Sequence, residues 1–107
     1  MRIEIVKTST HAIVTIEGAI DGKTAPEAQA ALAPVLAEFP LLVLDLSKVN
    51  YMSSAGLRVL LLINRQLAAK KGKAILVGLN ESITETMRIT GFLQFFECHA
   101  KMADVNL

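Results

Sequence analysis

Cysteine occurs once in this chain, at position 98, so no intrachain disulfide can form, and a lone thiol suits a reducing compartment. Neither sign of charge dominates. The 11 Lys and Arg against 10 Asp and Glu give a formal net charge of +1, no electrostatic case for nucleic acid or an anionic membrane surface. No apolar run approaches the roughly 20 residues that a membrane-spanning helix requires. Met1-Arg2-Ile3-Glu4 lacks the apolar core of a secretory signal. These absences lead to the expectation of a cytoplasmic protein without membrane insertion.

Motifs that carry chemistry are equally scarce. There is no GxGxxG or P-loop and no strained G-x-S-x-G elbow. His11, His99 and Cys98 have no companion cluster at metal-ligand spacing, so no metal and no cofactor is expected. A Ser54–His99–Asp21 triad could be drawn, but nothing in the sequence sets a base beside the serine. The expectation is a protein that is not an enzyme.

What the chain does have is aliphatic bulk in an ordered alternation. Hydrophobic residues are 52% of its 107 positions and charged ones 20%, the balance of a globular fold, read as one domain over residues 1–107. Ile3 and Ile5, then Val14 and Ile16, alternate with polar neighbours as two strands joined by a polar connection at Lys7–His11. Gly18 and Gly22 bracket a bulge or strand end. Thr24-Ala-Pro-Glu27 has the form of a capping box opening a helix to about Glu38, which Pro34 should kink or split. Leu41–Leu46 and Ala74–Gly78 are apolar enough for central parallel strands. Between them a helix over Ser53–Lys71 stops at Gly72. A third helix, capped by Asn80 or Ser82, ends at Gly91, and Phe95, Phe96 and Cys98 suggest a last strand. The order predicts an α/β fold with a mixed four- to five-stranded sheet and helices packed against it.

The junction before the second helix sets Ser53 and Ser54 side by side, followed by Ala55 and Gly56. An N-cap explains one hydroxyl. A helix N-terminus at the carboxyl end of a parallel strand also suits a phosphate or an approaching partner. Downstream, Leu57, Leu60, Leu61, Ile63, Leu67 and Ala68 share a face, with Asn64 in its midst. Ser54, Arg58, Leu62 and Arg65 line another face as an exposed stripe, either solvated or a docking patch.

The stretch DLSKVNYMSSAGLRVL, Asp45–Leu60, resembles the strand, D-L-S-x-V segment and serine-bearing helix start of STAS domains of the anti-sigma factor antagonist type. Glu17–Asp21, Ala74–Gly78 and Ile89–Phe92 extend the resemblance over about residues 1 to 100. It implies a partner-switching protein that binds, when unphosphorylated, a GHKL-type serine kinase acting as an anti-sigma factor. Phosphorylation of a serine at this helix start ends the binding, and a PP2C-type phosphatase reverses it. Carried over by position, the acceptor falls on Ser54, with Ser53 as the alternative. Ser53 stands where the family often has Asp, Ala55 where it often has Ser or Thr, and Arg58 where a small residue is common. The expected partner surface comprises Asp21, Thr24, Ser53, Gly56, Arg58, Leu62 and Arg65, the last three read from the helix face they share with Ser54. The other reading is a STAS subunit of a lipid or ion transport complex, or a ligand-sensing module, in which the serines only cap.

Overall fold

A computed structural model describes residues 1–107. Five strands form one sheet in the order β1-β2-β3-β4-β5: β1 Arg2–Lys7, β2 Ala12–Ile20, β3 Leu41–Met52, β4 Lys73–Val77 and β5 Glu97–His99. Only β1, the hairpin partner of β2, runs antiparallel, and the other pairs are parallel. Three helices, α1 Ala25–Glu38, α2 Ser54–Ala68 and α3 Glu81–Thr90, make the crossovers. Right-handed crossovers between strands laid down in sequence order all step the same way, so every helix falls on one face of the sheet.

The core follows from that placement. Alternate strand residues Val14, Ile16, Leu42, Leu44, Ala74 and Leu76 point at the helices and join Leu32, Leu60, Ile63, Leu67 and Met87 in one cluster. The residues between them, Val43, Ile75 and Val77, face the other way, where Met102 and Val105 of the C-terminal segment lie against them. The parallel strands read as unbroken apolar runs because both faces are covered.

Several elements differ from what the sequence suggests. Strand β3 continues past Leu46 to Met52. Residues 45–51 of β3 face residues 15–19 of β2, six steps against four, so β3 carries two bulged residues. One lies at the D-L-S segment, where Asp45 Oδ1 accepts from the Ser47 amide at 3.1 Å and its hydroxyl at 2.7 Å. Helix α1 stays continuous through Pro34, which is exposed there, so water can satisfy the carbonyl it leaves unbonded. The capping box does not form. Thr24 makes no side-chain cap bond; its hydroxyl donates to the Ala19 carbonyl at 2.8 Å and accepts from the Asp21 amide at 2.9 Å. Phe95 belongs to a 3-10 turn, Phe92–Phe95, and the last strand begins at Glu97.

Candidate functional site

The carboxyl ends of β2 and β3 release two loops that lie together. The Ser53 amide donates to the Ile20 carbonyl at 2.9 Å, tying the end of β3 to the end of β2. Gly56, in the first turn of α2, closes the same corner. A Cβ there would stand 2.6 Å from Met52 Cγ and 2.7 Å from the Ile20 carbonyl oxygen, so glycine is required for the approach.

The paired serines differ in what they do. Ser53 is the N-cap of α2, with extended backbone, and its hydroxyl accepts from the Gly56 amide at 3.4 Å. Ser54 is the first helical residue and is exposed. The hydroxyl of Ser54 therefore stands free of the capping task, over the positive end of the helix.

In the neighbouring loop Asp21 shapes the backbone. Its Oδ1 accepts from the Lys23 amide at 2.9 Å and the Thr24 amide at 3.0 Å. Those two amides, Thr24 first, hold the Asp21 carboxyl below the usual carboxylate range. Asp21 and Thr24 are thus bonded to their own loop.

The expected stripe along α2 divides. Ser54, Arg58 and Arg65 are exposed, but Leu62 is half-buried. At 100° per residue Leu62 lies about 60° from buried Val59, and Arg65 lies about 60° further round. Leu62, Arg58, Val59 and Ala55 accordingly form one wall of a groove whose other wall is Gly22, Ala25, Pro26 and Gln29. Arg65 lies outside that groove and borders a separate depression with Leu61, Asn64 and Phe95. The core face of α2 is Gly56, Leu57, Val59, Leu60, Ile63 and Leu67, while Leu61 and Asn64 are half-buried and Ala68 exposed. Including Val59 rotates the buried arc away from Asn64, which settles its awkward position. The α1 wall escapes a motif-based reading, its one trace being the run of small residues early in that helix.

The arrangement around Cys98 and His99 has another use. His99 Nε2 lies 2.7 Å from Glu97 Oε2, while Lys73 Nζ donates to Glu97 Oε1 at 2.7 Å. Partial burial, and then the neighbouring Glu97 charge, push the Cys98 thiol up, away from the reactive thiolate. Asp21 and His99 are both engaged with other groups, and neither is bonded to Ser54. No group of three or more His, Cys, Asp or Glu is placed to hold a metal ion. No helix is long and apolar enough to cross a membrane.

A small mixed sheet with helices on one face, and a serine pair at a helix start where two loops meet, defines the class. The chain belongs to the STAS domain family, whose profile matches residues 2–105, and its relatives are anti-sigma factor antagonists. It is 34% identical over 97 residues to BtrV of Bordetella bronchiseptica, assigned as an anti-sigma factor antagonist, covering 90% of this chain and 84% of that one. It is 31% identical over 106 residues to the anti-sigma-B factor antagonist of Listeria monocytogenes, covering 97% and 93%. Among solved structures, an anti-sigma factor antagonist from Mycobacterium paratuberculosis superposes with a TM-score of 0.87 at 27% identity, covering 96% of this chain and 88% of that one.

Proposed function

We propose that this chain is a phosphorylation-controlled antagonist that binds an anti-sigma factor of the GHKL serine kinase type and acts by binding, without catalysis of its own. In this reading the kinase moves the γ-phosphoryl group of ATP onto Ser54 Oγ. The Oγ–P bond forms as the bond to the β-phosphate bridge breaks, ADP leaves, and the hydroxyl proton passes to a base of the kinase. A PP2C-type phosphatase hydrolyses the ester and restores the binding form. The cytoplasm, where kinase and ATP are present, is the matching compartment.

The observation that carries this reading is the division between the serines. Ser53 makes the cap bond and Ser54 is exposed beside it. A transport or sensing subunit would need the cap alone and leaves Ser54 without a task. Phosphorylation adds about −1.5 to −2 charges. Placed at Ser54, that charge meets the helix N-terminus, which tolerates it, and Arg58 one turn on. The fold survives while the surface offered to the kinase changes sign. Asp21, Thr24 and Gly56 contribute by holding the two loops in shape, and Arg58, Leu62 and Arg65 by offering side chains.

The test is site mapping after incubation with ATP and the purified kinase, first recovered from the native cell by its retention on the unphosphorylated chain. One phosphate is expected, on Ser54. Ser54→Ala should bind and resist modification, and Ser54→Asp should bind more weakly. Phosphate on Ser53, or none, overturns the assignment.

A further inference from the structure

The groove between α1 and α2 opens directly beside Ser54, with Ala55 in its wall. Its volume is about 220 Å³, below the roughly 300–1,000 Å³ of sites that enclose small molecules. That is the scale of a side chain rather than of a cofactor. Ala25, Ala55, Val59 and Leu62 give it an apolar lining, and no carboxylate lines it. Its one charge is Arg58, which forms none of the ion pairs within the chain. The carboxylate of Asp21 in the adjoining loop is already taken by two backbone amides.

We infer that this groove receives an apolar side chain of the protein partner, presented beside a carboxylate that pairs with Arg58. The inference rests on Ser54 being the switch. Ser54 and Arg58 are four residues apart on one helix and so are neighbours on its surface. A phosphate on Ser54 competes with the partner's carboxylate for the same guanidinium, and the phosphate, more highly charged and always present at short range, wins. Release then follows from losing the cation at the groove as well as from repulsion. The same arrangement accounts for an arginine at a position where a small residue would leave the groove uncharged.

The experiment is titration calorimetry of the purified Ser54 kinase against wild type, Gln29→Trp, Arg58→Glu and Thr86→Trp. Intact mass after ATP addition is followed in parallel. Gln29, Arg58 and Thr86 are exposed, so melting curves should match wild type. Gln29→Trp, which fills the groove from α1, and Arg58→Glu should each weaken binding at least roughly tenfold, while Thr86→Trp on α3 binds normally. With phosphoserine installed at position 54, Arg58→Gln should narrow the affinity gap between phosphorylated and unphosphorylated forms. If wild type binds and is phosphorylated on Ser54 while Gln29→Trp and Arg58→Glu bind equally well, the groove is not the docking site and the switch stands. If wild type neither binds nor is modified, the switch itself fails and the occupant falls with it. A dimer in sedimentation that Gln29→Trp disperses gives the groove to a second copy and overturns the inference. Should Gln29→Trp melt early, Arg58→Glu decides alone.

Discussion

Ser53 and Ser54 are chemically identical and one position apart, yet the start of α2 assigns them unlike surroundings. Ser53 keeps extended backbone and turns its hydroxyl back to the Gly56 amide, whereas Ser54 is already helical and exposed. Ser53→Ala should lower the unfolding free energy by about 1 kcal/mol, the ordinary worth of a cap, and Ser54→Ala should stay within about 0.5 kcal/mol of wild type. Urea denaturation of the two variants measures this, and equal losses would mean that both hydroxyls are structural. The serine pair was legible in the sequence as a helix start. Which of the two caps was not, because it depends on where the Ser53 amide finds the Ile20 carbonyl. Thr24 shows the same limit. Its spacing to Glu27 fits a capping box, but the Ala19 carbonyl and the Asp21 amide claim the hydroxyl. A local motif loses when the preceding loop already engages the hydroxyl.

The elements themselves followed from periodicity, and their ends only where a capping residue marks them, as at α3 and not at the far end of β3. Helix α3 begins with Asn80, whose Oδ1 accepts from the Ile83 amide at 2.8 Å, and ends at Gly91 with φ +80°, as the capping residues suggest. Asn80 Nδ2 also reaches the Asn50 carbonyl at 3.3 Å, a contact to the far half of β3 that only the fold supplies. At the end of α2 the expected Gly72 stop conceals two separate requirements. Lys71 adopts the left-handed conformation, φ +62°. Gly72 is needed for closeness, since a Cβ there would lie 1.9 Å from the Pro40 carbonyl oxygen. A side chain in the left-handed region costs about 1–2 kcal/mol. Lys71→Gly should therefore stabilise the chain by roughly 0.5–1 kcal/mol after allowance for the freer unfolded glycine, read as a higher urea midpoint with unchanged slope. A lower midpoint would show that the Lys71 side chain contributes more than its backbone costs.

At the scale of the whole molecule, sequential strand order places all three helices on one face and leaves the edges of the sheet to be held by polar contacts. Two carboxylates have an ionised form that the fold favours, one at the β5 edge and one in the loop after β2. Glu97 on edge strand β5 is held below its usual range by Lys73 first and His99 second, and Asp21 by the Thr24 and Lys23 amides. For a carboxyl whose folded pKa is depressed, the folded state binds fewer protons than the unfolded one as the medium turns acid. The stability it contributes is complete above the unfolded values, 3.8 for Asp and 4.5 for Glu, and is lost as pH falls through the lower folded values. Unfolding free energy from urea titrations should hence be nearly independent of these two groups above about pH 5 and decline steadily below it. Asp21→Asn and Glu97→Gln should each begin lower at pH 7 and lose less on acidification, so their curves converge on wild type once pH lies below the depressed folded values. Opening at β5 should accompany the Glu97 step, visible as early amide exchange at Cys98 and His99, because that strand is three residues long and its edge depends on the Lys73 pair. If instead the variant curves run parallel to wild type through this range, the two carboxylates titrate alike in folded and unfolded chains. Acid loss would then have to arise among the remaining exposed charges.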